Sequence, residues 1–199
     1  METESVLHIL KLISAGSPLP EVLNVIARMI ESQSAGIACT IWLPDSDGKH
    51  LHCVAAPSLP GFPTQVKRTA IGPFGACCGT AIYRREPVFV SDILEDPKWD
   101  DYRGPMTPFG TRSVWSHPLF SSKGRALGTF AILSQEVRNP TEADLQLIEN
   151  ASDITAIAIE RHLNEEALKQ DRDKEAKRRL YLEEELRAEF GTIVGESHD

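Results

Sequence analysis

Apolar residues recur at helical spacing near both ends of the chain and gather into short runs between them. Val6, Leu7, Leu10 and Ile13 form one stripe, which Ser17-Pro18 interrupts. Pro20 then sits near a helix start, where its missing N–H costs nothing. Val22, Leu23, Ile26, Met29 and Ile30 continue at helical spacing until Gly36. These patterns predict two N-terminal helices. Ile37–Leu43 and His50–Ala56 predict two strands around the turn cluster Pro44-Asp45-Ser46-Asp47-Gly48, hence an antiparallel hairpin.

Residues 57–65 hold three prolines and a glycine and predict loop. A short strand over Lys67–Ile71, broken by Gly72-Pro73, and a short helix over Gly79–Arg84 follow. Pro87–Ile93 predicts a strand. Asp96-Pro97 predicts a capped helix reaching about Tyr102, before Gly104-Pro105 interrupts it. Arg112–Phe120 and Ala126–Leu133 predict a second hairpin around Ser121–Gly124. Thr141, with Asp144 three residues on, predicts the start of a long helix. Leu145, Ile148, Thr155, Ala158, Ile159 and His162 mark one side of it. Leu147, Ala151, Ile154 and Ala156 widen that side, as packing on two faces requires.

From Asn164 to Glu189 there is neither proline nor glycine, and the apolar positions thin to Leu168, Leu180, Leu182 and Leu186. A solvated helical linker and a parallel coiled coil both fit. Apolar spacing over 169–179 does not sustain three clean heptads. Helices at the ends with a mostly antiparallel sheet between them predict an α+β domain. Terminal helices cover one sheet face. The loops and short helices of residues 57–110 must cover the other, leaving a cavity suited to a ligand.

Composition narrows the function class. The chain has 199 residues, of which 41% are hydrophobic and 25% charged, with a net charge of −8. That is enough chain for a core without disulfide or metal staples. The acidic balance disfavours attraction to phosphate, so direct nucleic-acid binding is not expected. No apolar run approaches the roughly 20 residues of a membrane span, and no cationic leader precedes one. Cys39, Cys53, Cys77 and Cys78 include no C-x-x-C pair, which points to free thiols in a reducing cytoplasm.

Candidate chemistry is sparse. Cys77 and Cys78 are adjacent and cannot easily bridge each other. They read either as small buried packing residues or as a redox pair favoured by a helix start. His50-x-His52 places two imidazoles on one face of a strand, but the sequence indicates no third or fourth ligand. His117 falls in a core strand where it could line a pocket. A haem would need one axial histidine, which has no motif, so no cofactor is assigned. Asp92, Glu95, Asp96, Asp100 and Asp101 fall at strand ends and helix starts, where capping explains them. Trp42, Phe89, Trp99, Tyr102, Trp115 and Phe130 come from segments that would converge on one cavity; Phe89 and Phe130 read as plain core packing, and Trp99, Tyr102, Arg112 and Trp115 are the stronger lining candidates. Arg112 could meet a ligand anion, or pair with Asp92 or Asp101.

The stretch "IGPFGACCGTAIYRREPVFVSDILEDPKWDDYR" (71–103) closely resembles bacterial GAF domains. "TRSVWSHPLFSSKGRALGTFAIL" (111–133) and "PTEADLQLIENASDITAIAIERH" (140–162) continue the resemblance in order. It covers residues ~5–165 and implies a central antiparallel sheet flanked by helices, a bound small molecule or other cue, and control of an attached output domain. The candidate ligand-binding set, taken from residue type and place together with this resemblance, is Cys78, Thr80, Trp99, Tyr102, Arg112, Trp115 and His117, with Cys77 and Cys78 as redox candidates. Cys78 takes the position where related segments carry a cysteine, and Cys77 is the departure. The Cys-Gly-Thr-Ala segment is also similar to free-methionine sulfoxide reductases. Those enzymes need a further cysteine in the region 99–117, where this chain has none, so a binding module rather than an enzyme is expected. No Cys-His dipeptide of the bilin type and no cyclic-nucleotide signature occur.

Residues 178–199 resemble the linker and opening residues of the ATPase in sigma-54-dependent activators, chiefly Phe190-Gly191-x-Ile193-Val194-Gly195-x-Ser197. No G-x-x-x-x-G-K-[ST] loop is present. The expectation is a sensory domain over 1–165 and a helical linker over 166–199 leading to an absent effector. It would be a homodimer through its terminal helices, binding an unidentified small molecule. A thiol enzyme using Cys78 and a ligand-free dimerisation scaffold are the alternatives.

Overall fold

The computed structural model describes residues 3–195; Ser197 and His198 lie outside them, and Leu186 lies beyond the described side chains. Helix α1 (Thr3–Ser14) and helix α2 (Leu19–Glu31) precede the strands. In α2 the expected stripe is buried: Val22, Leu23, Ile26, Met29 and Ile30 all face the core. In α1 the buried stripe runs through Ile9 and Ile13, whereas Leu7 and Leu10 point outward. Only one side of a helix can meet the sheet, and α1 turns the Ile9 side inward.

Strands β1 (Ile37–Pro44) and β2 (His50–Ala55) form the expected hairpin. The expected loop over 57–65 contains a turn of helix, α3 (Phe62–Gln65), with Pro63 in its first turn. β3 (Arg68–Ala70) pairs with β2. α4 (Ala76–Arg84) starts three residues earlier than its pattern suggested, so both Cys77 and Cys78 lie in its first turn. β4 (Val88–Val90) is shorter than expected. Asp96 does cap, accepting a bond from Lys98 N–H, but the helix is a single 3₁₀ turn, Pro97–Trp99. A helical turn α5 (Arg103–Met106) and a 3₁₀ turn Thr107–Phe109 occupy the expected interruption. There Pro105 lies in the first turn of α5, where its lack of an N–H is harmless.

β5 (Ser113–Phe120) and β6 (Ala126–Ser134) complete a six-stranded sheet in the order β3-β2-β1-β6-β5-β4, every neighbour antiparallel. β1, β6 and β5 are buried on both faces, so their side chains show little alternation. α6 (Glu142–Gly195) follows. Its start is a reciprocal cap: Asp144 N–H donates to Thr141 Oγ1 at 3.2 Å, and Thr141 N–H donates to Asp144 Oδ2 at 2.9 Å.

The chain divides into two compact units between Glu160 and Arg161. In the first, α1, α2 and the opening turns of α6 pack on one sheet face around Ile26, Trp115, Phe130 and Ile148. The short elements between β2 and β5 pack on the other around Trp42, Phe62, Cys77, Trp99 and Met106. The second unit is helix whose described side chains from Asn164 on are exposed, Leu168, Leu180 and Leu182 among them. Arg161–Glu165 and Arg179–Glu183 pairs lie along it.

Candidate ligand cavity

The first turn of α4 is pressed onto the sheet edge by two glycines. A Cβ on Gly75 or Gly79 would lie 1.8 Å from Ala70 O, so only glycine permits this approach. Ala76 between them has φ +48°, a left-handed conformation that costs an L-residue about 1 kcal/mol or more. The consequence is positional. Cys77 and Cys78 are driven against β5 and β6, and the Cys77 thiol donates to Val114 O at 3.5 Å.

Between this helix, the sheet and the remaining cover lies a cavity of about 30 Å³. Trp42, Thr40, Ala131, Leu133 and Val114 form its floor, and Phe62, Trp99, Tyr102 and Met106 its roof, with Cys77 and Cys78 on one wall. No charged side chain lines it. Two of its polar side chains are already engaged: Trp42 Nε1–H donates to Thr40 Oγ1 at 3.0 Å, and Thr69 Oγ1–H donates to Gly75 O at 2.8 Å. The roof is aromatic and interlocked. Phe62 meets Trp42 edge-on at 6.0 Å and Phe109 at 5.0 Å, and Trp99 meets Tyr102 edge-on at 6.2 Å. Arg103 holds this roof down by donating to Ile93 O at 2.8 Å and Asp96 O at 2.9 Å.

Burial pushes the Cys77 and Cys78 thiols up from their ordinary range, and the neighbouring Cys78 sulfur adds to the effect at Cys77. Burial likewise raises Cys53, to about 12. Burial, the largest influence on both thiols of this helix start, works against a thiolate here.

Trp99, Tyr102, Cys77 and Cys78 are brought together as expected. Thr80 is buried beside them, but it faces an outer cleft of about 190 Å³ that shares only Ala76, Cys77 and Trp99 with the cavity. Three of the expected ligand-binding residues lie elsewhere. Trp115 packs on the opposite face among the terminal helices, in the core where Phe130 was expected and is found. His117 shares the parity of Trp115 along β5, and the acidic groups acting on it are Glu149 and Asp153 of α6. Arg112 is spent on Asp92, with Nε–Oδ1 at 3.1 Å and Nη2–Oδ2 at 2.5 Å, which holds the carboxyl below its usual range. Phe89 is 40% exposed and lines the outer cleft, not the cavity. The lining residues not anticipated include Thr40, Phe62, Val66, Thr69, Met106 and Val114.

A helix-backed antiparallel sheet with a small apolar cavity under short cover segments defines an α+β domain with an internal cavity. The family model of the GAF domain matches residues 18–159, and the chain belongs to that family. It is 32% identical over 168 residues to a methyl sulfide methyltransferase-associated sensor of Methanosarcina acetivorans. That match covers 84% of this chain, which spans only 17% of the sensor's length. A GAF sensor protein from Burkholderia vietnamiensis superposes with a TM-score of 0.61 at 16% identity, covering 80% of this chain and 93% of that one. Free methionine-R-sulfoxide reductase from Neisseria meningitidis, in complex with its substrate, superposes with a TM-score of 0.63 at 20% identity, covering 81% of this chain and 89% of that one. Both likenesses are of fold. Among the described residues no helix is long and apolar enough to cross a membrane.

Proposed function

We propose that this GAF sensor domain binds a small uncharged molecule in the cavity between sheet and cover, and is a binding module, not a thiol enzyme. One observation carries the reading: the cavity is lined entirely by apolar, aromatic and already hydrogen-bonded side chains, with no charge to meet an ionic ligand. Its 30 Å³ is about the space of one water. A diatomic gas fits with little movement; anything larger lifts the Trp99–Met106 roof. Cys77 and Cys78 shape the wall as protonated thiols, which speaks against the redox and reductase readings.

The signal leaves through α6. Leu7 and Leu10 of α1 and Ile157 of α6 are 50%, 45% and 56% exposed, and a homodimer through these terminal helices would cover them. The similarity of residues 178–199 to sigma-54-dependent activators supports an output domain of that kind, in a cytoplasmic regulator. Bound ligand shifts the dimer only by its differential affinity for two helix arrangements. No direct nucleic-acid or membrane contact by this domain is part of the proposal.

Native mass spectrometry for co-purified molecules, with a thermal-shift screen of neutral gases and small neutral metabolites against charged ones, tests it. The expected result is stabilisation by neutral compounds that Ala131→Leu, which fills the cavity, abolishes. Stabilisation by anions alone, or shifts that survive Ala131→Leu, would sink it. The fold shared with the reductase motivates one control, turnover of free methionine sulfoxide: none is expected, and turnover lost in Cys78→Ser would restore the enzyme reading.

A further inference from the structure

The β1–β2 turn gathers metal-ligand side chains that the sequence left as a lone histidine pair. Among the described residues, one group of at least three such side chains has its donor atoms within 4.8 Å of one another: Asp45, Asp47 and His50. The cysteines do not form such a group. His52 joins through Asp45, its Nδ1 lying 2.6 Å from Asp45 Oδ1, while His50 Nδ1 lies 2.8 Å from Asp47 Oδ2. We propose that the end of this hairpin is a zinc site, with Asp45, Asp47, His50 and His52 as ligands.

The backbone builds the cluster. Asp45 N–H donates to His50 O at 2.9 Å and closes the hairpin. Asp47 Oδ1 accepts from Lys49 N–H at 2.7 Å and His50 N–H at 3.2 Å, which fixes the carboxylate and leaves Oδ2 aimed at the imidazole. His50 and His52 are two residues apart on β2 and share a face. The donors of Asp45, Asp47 and His50 thus lie together already, and His52, which meets Asp45 alone, joins them by side-chain rotation without any change of backbone.

The two carboxylates also demand a cation. Arg68, opposite His52 on β3, supplies one now: Nη2 contacts Asp45 Oδ2 and lies 2.8 Å from Asp47 Oδ2. Its side chain is 50% exposed, so it can withdraw into water. Zinc brings twice the charge to the same point. Placed where the hydrogen now bridges His50 Nδ1 and Asp47 Oδ2, it would part them from 2.8 Å to roughly 3.3 Å, the edge of a tetrahedron with bonds of about 2.0–2.1 Å. Each neutral imidazole then carries its proton on Nε2, so no proton need be lost. Two nitrogen and two oxygen donors suit zinc and its first-row neighbours, not calcium or magnesium, which take oxygen. All four side chains keep a solvent-facing part, at 20% to 43% exposure, so the ion has a route in.

The test is calorimetric titration of the metal-free chain with zinc chloride, repeated for His50→Ala, His52→Ala and Asp47→Asn. Cobalt(II) is the spectroscopic stand-in, and circular dichroism checks that each variant folds. The expected result is one zinc per chain, affinity at least tenfold weaker in either histidine variant and in Asp47→Asn, unchanged affinity in Cys77→Ser, and the visible bands of tetrahedral cobalt. Absence of saturable uptake overturns the proposal. So does uptake that survives both histidine substitutions, or magnesium binding as tightly as zinc.

Discussion

The two faces of the sheet are covered by different kinds of chain. On one, long amphipathic helices bring Ile26, Ile30, Ile148 and Ala158 against Trp115 and Phe130, all at 3% exposure or less. On the other, one nine-residue helix and several single turns cover Trp42, Val114 and Ala131. A long helix presents a continuous stripe and fills its interface. Short turns joined by prolines cannot, and the cavity is what they leave. Dense packing and the cavity thus fall on opposite sides of the same strands.

The sharpest way to break that contrast is truncation on both sides. Phe130→Ala on the helix face is expected to cost about 3–5 kcal/mol of unfolding free energy. Met106→Ala in the roof should cost nearer ~2 kcal/mol, because the new space merges with an existing cavity. Chemical denaturation measures both, and equal losses would erase the distinction. Next comes thiol chemistry. With Cys77 and Cys78 held protonated by burial, native labelling by a thiol reagent at pH 7.5 should be at least ~10-fold slower than in denaturant, since the thiolate is the nucleophile. Fast labelling would mean that the cover opens freely.

A smaller effect belongs to the cap of α6. Burial alone would raise Asp144, but the bonds from Thr141 N–H and hydroxyl, then Arg138, outweigh it and leave the group lowered. A carboxyl lowered on folding contributes stability that is present above its unfolded value, near 4, and lost as pH falls through the folded value. Thr141→Ala should cost about 1 kcal/mol at neutral pH and flatten the stability profile below pH 4. An unchanged acid slope would show that the cap does not carry it. Smallest is Ala76→Gly, expected to stabilise by about 0.5 kcal/mol by removing the left-handed strain, less the entropy glycine adds. A loss of stability there would mean that the conformation is unstrained.

The helices and both hairpins were legible because their periods are long or their turn residues explicit. Phe62–Gln65 and Arg103–Met106 were not: each is a single turn, and each carries a proline that reads as a breaker until its place in the first turn is known. The cavity was half legible. Aromatic type found Trp99 and Tyr102, but it could not assign a face within β5, a strand buried on both sides, so Trp115 and His117 were placed one residue out of phase with Val114. Arg112 carried no sign of whether Asp92 would claim it first. The hairpin cluster was missed because Asp45 and Asp47 read as turn formers, and a turn former that also points a second oxygen at a histidine leaves no separate trace in the pattern.

Arg138 lies with its guanidinium 4.4 Å over the Trp115 ring while it grips Asp144 at 2.8 Å. The first turn of α6 is thereby riveted to an indole on β5, and the residue before that indole, Val114, is cavity floor. A single thickness of backbone separates the place where a guest would press from the place where the exit helix is fastened. In mechanical terms β5 would act as a diaphragm: a guest that bowed it on one side would tug the rivet on the other, and the helix would need no contact with the guest to register its arrival.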